Sequence, residues 1–332
     1  MSETTGGQHP SAEQTAAALQ AVQALREEIG KALVGQGEVV SQVLGAFLAG
    51  GHVLLEGVPG LGKTLLVLAL SRAFGGKFAR VQFTPDLMPS DVTGHAVLDQ
   101  KTGEFRIRKG PAFTNLLLAD EINRAPAKTQ SALLEVMGEQ QISIEGESFP
   151  LEGPFMTLAT QNPLEHEGTY PLPEAQLDRF LLKVLIDYPA DETEESAIVQ
   201  RVTTGQTADR LDVDDVREVT DPAGVRALQA MVSTLIVDAR IPAYAVRIVR
   251  ETRVRGGFRY GAGPRGAIAL VRMARALALL DGRDHVIPDD VKRAALPCLR
   301  HRVILSPELS MEGQSTDDLL ASLLEEVDAP RA

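Results

Sequence analysis

Gly57-Val58-Pro59-Gly60-Leu61-Gly62-Lys63-Thr64 fits G-x-x-x-x-G-K-[ST], the spelling of a phosphate-cradling loop. Glycines let such a backbone curl until several N–H groups point at one phosphate, and the helix that follows adds its positive end. Lys63 then reaches the β- and γ-phosphates, and the Thr64 hydroxyl ligates Mg²⁺. The flanks agree with this reading. His52 to Leu55 reads as a short buried strand, and Leu65 opens an apolar helix that runs to Phe74 and stops at Gly75-Gly76.

Further on, Asp120-Glu121 closes the apolar run Leu116 to Ala119. In a parallel sheet ligands sit at the carboxyl ends of strands, which brings this pair, Asn162 and the glycine loop to one end. Asp120 would orient Mg²⁺, through a water, and Glu121 would position or deprotonate an attacking water. Asn162 could hydrogen-bond the γ-phosphate or that water. Each has an ordinary alternative, a solvated turn for the two acids and a satisfied strand-end turn for Asn162. Arg179, just before the run Phe180 to Ile186, and Arg265, in Gly263-Pro264-Arg265, could bring a guanidinium to transition-state charge. A surface ion pair is the commoner use of any one arginine.

These residues need elements to hold them. Apolar residues at helical spacing predict helices from Glu13 through Leu33 and over Val39 to Leu48, broken at Val34-Gly35-Gln36. Ala79 to Phe83 alternates and reads as a second strand. Leu116 to Glu121, Phe155 to Ala159 and Phe180 to Ile186 read as the third, fourth and fifth. Two hairpins are expected, over 96–107 and 141–151, with a helix from Pro126 between them that carries Gln130, Leu133, Leu134 and Met137 on one face. Strands that are apolar on both faces and separated by helices mean a parallel sheet covered on both sides. After Pro189 no strand is expected. Helical patterns run over 192–203, 222–237, 242–255, 264–280 and 288–300.

The domain reading is therefore a disordered N-terminus over 1–12, an α/β nucleotide-binding domain over 13–188, and an all-α domain over 189–325. Asp187 to Ala190 is the linker and 326–332 a flexible tail.

A chain of 332 residues is long enough for two domains. The net charge of -12 argues against nucleic-acid binding through bulk charge. One cysteine, Cys298, excludes an intrachain disulfide and reads as a small buried apolar group. No apolar run approaches membrane-spanning length and the polar start has no signal-sequence pattern, so a cytoplasmic protein is expected. Residues 240–302 hold 14 Lys and Arg against 5 Asp and Glu, while the chain as a whole is acidic. A basic segment beside an acidic body favours head-to-tail contact between copies, although a solvated helical face carrying Arg247, Arg250 and Arg253 would look the same.

Taken together the motifs resemble those of AAA+ ATPases, and among these the MoxR family. The resemblance runs from about residue 15 to 325. It is carried by Gly57 to Thr64, by Leu118 to Ala125 at the Mg²⁺ site, and by Ala159 to Pro163 at the strand end called sensor 1. Leu177-Asp178-Arg179-Phe180 resembles the segment with a trans-acting arginine, and Gly263-Pro264-Arg265 resembles the sensor-2 motif. Val34-Gly35-Gln36 is similar to the segment beside the adenine, which adds Val34 and Gly35 to the nucleotide contacts. The hairpins resemble the helix-2 insert and the pre-sensor-1 hairpin of the branch shared with magnesium-chelatase ATPase subunits.

The resemblance implies a five-stranded sheet of order 5-1-4-3-2, a helical lid over ATP, and rings, usually of six subunits, each site completed by a neighbour's arginine. Arg179 is favoured for that role, with Arg124 and the arginines of 247–259 as alternatives. It further implies Mg²⁺-dependent ATP hydrolysis coupled to chaperone-like remodelling or activation of a protein partner, with VWA-domain proteins as co-workers. A nucleotide-gated binding module with slow hydrolysis is a second reading, and a motor on nucleic acid a third.

Overall fold

The order of five parallel strands decides where everything else stands. A computed structural model describes residues 12–163, 168–203 and 213–330. In chain order the elements of the first part are α1 (Ala12–Ala32), α2 (Gly37–Leu48), β1 (Val53–Glu56), α3 (Lys63–Ala73), β2 (Phe78–Gln82), α4 (Pro89–Thr93), β3 (Gly94–Leu98), β4 (Phe105–Lys109), β5 (Leu116–Asp120), α5 (Ala127–Glu139), β6 (Gln141–Ile144), β7 (Glu147–Pro150), β8 (Met156–Gln161), α6 (Glu174–Leu177), β9 (Leu182–Leu185) and α7 (Glu192–Thr203). A short 3₁₀ turn, Ile122–Arg124, follows β5.

The main sheet has the order β2-β5-β8-β1-β9, and every pairing in it is parallel. Numbered as the five main strands alone, this is 5-1-4-3-2. Burial follows that order. The first three residues of β1, the first four of β5 and the first five of β8 are all buried, because these interior strands are covered on both faces. The edge strand β2 alternates instead, with Val81 buried while Arg80 and Gln82 are exposed on one face.

Helix α5 packs Leu133, Leu134, Val136 and Met137 into a core that includes Leu54, Phe83, Leu117 and Ala119. Phe47 of α2 meets Phe74 at a ring separation of 5.1 Å. His52, buried just before β1, accepts the Thr157 N–H at 3.0 Å and lies 3.1 Å from the Met137 carbonyl, so one imidazole ties β1 to β8 and α5. Both hairpins are present as antiparallel pairs, β3 with β4 and β6 with β7.

The remaining elements are α8 (Pro222–Thr234), α9 (Arg240–Val254), β10 (Phe258–Tyr260), α10 (Pro264–Leu280), α11 (Pro288–Leu299), β11 (Ile304–Leu305), α12 (Pro307–Met311) and α13 (Thr316–Glu326). Helix α10 is the centre of this part, burying Leu270, Met273, Leu277, Leu279 and Leu280 among others. Arg283 grips the buried Asp290 with both guanidinium nitrogens at 2.6 and 2.8 Å, and Asp290 also accepts the Ile287 N–H that opens α11.

Two differences from the sequence reading stand out. Strands do not end at Pro189: β10 and β11 form a small antiparallel ribbon, too short to show any alternation in sequence. The division into compact units also falls elsewhere. One unit spans Leu25–Pro222 and the other joins the start of the chain, through Ala24, to Ala223–Ala332. The segment past α7 stays with the first unit because the Val219 N–H donates to the Ala73 carbonyl at 2.7 Å and the Arg217 N–H to Glu28 at 2.9 Å. The expected disorder over 1–12 falls, apart from Ala12, outside the described residues. The expected flexible tail begins at the last residue of α13, and its final two residues are likewise outside them.

Candidate functional site

At the carboxyl end of β1 the chain turns through the glycine loop into α3. Gly60 and Gly62 take φ of 89° and 78°, left-handed values that a side chain resists, and Gly62 is the residue that caps α3. Gly57 is required for a different reason. A Cβ there would sit 2.4 Å from the Ile186 carbonyl oxygen, so the loop passes directly against the end of β9. Lys63 begins α3 and curls its ammonium back onto the Gly57 carbonyl. Burial holds its pKa below the ordinary lysine value, and the carboxylates of Asp120, Glu121 and Glu56 act the other way.

Asp120 ends β5 beside β8. Its Oδ1 accepts the Thr160 hydroxyl at 2.6 Å, and its Oδ2 accepts Arg80 Nη2 at 2.6 Å and Nε at 3.2 Å. Glu121 has left the strand and stands at φ 54°, unusual for a residue with a side chain. The Thr160 oxygen supports this turn as well, accepting the Glu121 N–H at 2.8 Å. The Glu121 carboxylate receives Gln82 Nε2 at 2.8 Å and Arg124 Nη1 at 3.0 Å. Behind the turn, the buried Gln130 amide donates to the carbonyls of Ile122, Ala125 and Tyr170 at 2.9 to 3.2 Å.

These groups face a cavity of about 490 Å³ lined, among others, by Val34, Pro59 to Leu65, Asp120, Glu121 and Asn162. The first unit thus brings together most of the residues singled out in sequence. Gly35, Gly57 and Val58 flank the lining rather than join it. Gly35 has φ 71°, and Gln36 beside it donates to the Asp187 carbonyl at 3.0 Å. The two candidate arginines are placed differently. Arg179 is not on the cavity wall, and its guanidinium donates to the Leu134 carbonyl of α5. Arg265 stands in the first turn of α10, in the second unit.

Sequence reasoning missed several lining residues, among them Arg80 and Gln82 on β2, Thr160 on β8, and Ile198 and Arg201 one turn apart on α7. The alternation of Ala79 to Phe83 does put Arg80 and Gln82 on one face, but nothing in sequence says which strand that face adjoins.

The cavity fits a hard divalent cation and a polyphosphate. Thr64 and Asp120 offer oxygen donors, the class such cations take, and the glycine loop with Lys63 supplies the anion-binding side. The described residues hold no cluster of three or more His, Cys, Asp or Glu able to bind a metal unaided, so a cation here would need phosphate oxygens as well.

Comparison with known proteins agrees with this geometry. Residues 52–182 match the model of the ATPase family associated with various cellular activities (AAA), and residues 250–323 match the AAA lid domain. The chaperone MoxR1 of Mycobacterium tuberculosis is 42% identical over 313 residues, covering 92% of this chain and 81% of that one. The chain belongs to the MoxR family of AAA+ ATPases. Other relatives cover it as fully: protein MoxR of Methylorubrum extorquens at 33% identity, over 91% of this chain and 93% of that one, and the uncharacterized protein YeaC of Bacillus subtilis at 44%, over 92% and 93%. A putative ATPase from Cytophaga hutchinsonii superposes with a TM-score of 0.88 at 39% identity, over 96% of this chain and 98% of that one. The MoxR fold, an AAA+ domain followed by a helical lid domain, therefore extends over nearly the whole chain.

Proposed function

We propose that this MoxR protein hydrolyses ATP with Mg²⁺ and uses the cycle to remodel, activate or assemble a protein partner. The observation that carries the reading is the convergence of Lys63, Thr64, Asp120, Glu121 and Asn162 on one cavity. In this reading the loop N–H groups and Lys63 hold the β- and γ-phosphates, and Thr64 and Asp120 hold the cation. Mg²⁺ neutralises phosphate charge as it develops. Glu121 orients and deprotonates the attacking water, and Asn162 holds that water or the γ-phosphate. Val34 and Gly35 flank the base.

Arg265 contributes a cation from the lid. Arg179 serves the site of a neighbouring subunit in a ring, six-membered by family resemblance. VWA-domain proteins are the proposed co-workers and the cytoplasm the proposed compartment. No helix among the described residues is long and apolar enough to cross a membrane. A two-domain organisation, with the AAA+ domain carrying the chemistry and the helical part closing on it, belongs to the same proposal.

Glu121→Gln and Lys63→Ala separate binding from hydrolysis. Glu121→Gln is expected to retain ATP through gel filtration and release no phosphate, whereas Lys63→Ala retains little nucleotide. Equal phosphate release by wild type and Glu121→Gln would overturn the assignment. A slow, gating use of ATP is the second reading. It draws support from Glu121 Oε2 already accepting two hydrogen bonds, from Gln82 and from Arg124. In that case basal turnover is low and rises when a protein partner is added.

A further inference from the structure

Asp120 is already satisfied as the strand ends. One oxygen takes the Thr160 hydroxyl and the other takes two nitrogens of Arg80, so both are occupied before any cation arrives. A guanidinium on the carboxylate proposed to face the cation is a choice with consequences, since an alanine at this edge-strand position would leave Asp120 open.

Arg80 is held loosely enough to leave. Its side chain is 48% exposed against 17% for Asp120, and an exposed ion pair of this kind is weak. Arg80 also lines the cavity, with its Nη2 3.5 Å from the Gln82 side-chain oxygen as a second contact. Lys63 lies near enough to Asp120 to feel its charge, but donates to the Gly57 carbonyl instead.

We propose that Arg80 is a positioning residue that stands in for the divalent cation on Asp120 and gives up Oδ2 when Mg²⁺ is bound. This rests on the ATPase reading above and adds a regulatory element to it. The stand-in keeps the acid strand end neutralised and its carboxylate correctly turned in the nucleotide-free protein. It also makes cation entry an exchange, so Arg80 raises the Mg²⁺ concentration that the site needs.

The test is binding of a fluorescent ATP analogue by the full chain, titrated with Mg²⁺ from an EDTA-buffered start, for wild type, Arg80→Gln and Arg80→Lys. Removing the competitor in Arg80→Gln is expected to lower the half-saturating Mg²⁺ about two- to fivefold, the range of a half-exposed ion pair, with affinity in EDTA nearly unchanged. Arg80→Lys, which keeps a cation on Asp120, is expected to stay near wild type. An unchanged or raised Mg²⁺ requirement in Arg80→Gln overturns the exchange, because Arg80 would then be irrelevant to the cation or a helper in its binding. Wild type that binds no analogue with or without Mg²⁺ overturns the ATPase reading itself, and this inference with it.

Discussion

Gly57 is the residue where sequence motif and packing meet most directly. Any Cβ there meets the Ile186 carbonyl at 2.4 Å, a backbone atom that cannot swing aside. Gly57→Ala is therefore expected to cost about 1–3 kcal/mol, the usual scale of overpacking, and to move the loop away from its phosphate-binding shape. Thermal melting with parallel nucleotide titration checks both parts, and an unchanged melting point would show that the loop has slack. The phosphate loop was legible in sequence because all its chemistry lies within eight consecutive residues. Arg80 was not, because its meaning comes from Asp120, which lies 40 positions further on and becomes a neighbour only when β2 pairs with β5. Gln82 and Thr160 escaped for the same reason. Arg179 was legible as a motif, yet its side chain lies against α5 rather than in the cavity, so the proposed role in a neighbouring subunit's site leaves no mark on this chain's own cavity.

Among the elements, the turn after β5 is held by polar groups as well as by the buried Ile122 and Ala125. Gln130 lies on the core face of α5, where it counted in sequence as one more member of a helical stripe. In the fold its amide donates to three carbonyls, those of Ile122 and Ala125 just after the acid turn and that of Tyr170. Gln130→Leu keeps the volume and removes those donors, leaving buried carbonyls without them. It is expected to destabilise the first unit by about 2 kcal/mol and to reduce turnover by disordering Glu121, as measured by denaturant unfolding beside phosphate release. In the second unit the corresponding point is Asp290. Asp290→Ala leaves the Arg283 guanidinium without its main partner and exposes the start of α11, with an expected loss of about 3 kcal/mol. The interior strands were legible because burial on both faces makes them continuous apolar runs. The ribbon of β10 and β11 is only three and two residues long, which is too short for any period to register.

At the scale of the molecule, the five-strand order and the helical second part could be expected from the alternation of strands and helices together with family resemblance. The division between units could not. It depends on long-range hydrogen bonds such as Val219 to Ala73, which leave no mark in composition. Cys298 offers a probe of the whole second unit. Burial pushes its thiol from the ordinary value of 9.0 to about 12, despite three arginines nearby. Its thiol should resist maleimide at pH 8 in the native protein and react once the unit is unfolded. Because its folded pKa is raised, its contribution to stability is intact below pH 9 and shrinks as pH rises toward 12. Rapid labelling of native protein would contradict this packing.

The measurement that tests the central claim most directly is steady-state ATP hydrolysis across a series of protein concentrations, with wild type and Glu121→Gln side by side. An ATPase completed between subunits predicts specific activity that rises with concentration to a plateau, and none from the variant. Activity independent of concentration would contradict shared sites, and activity surviving in Glu121→Gln would contradict the assigned chemistry.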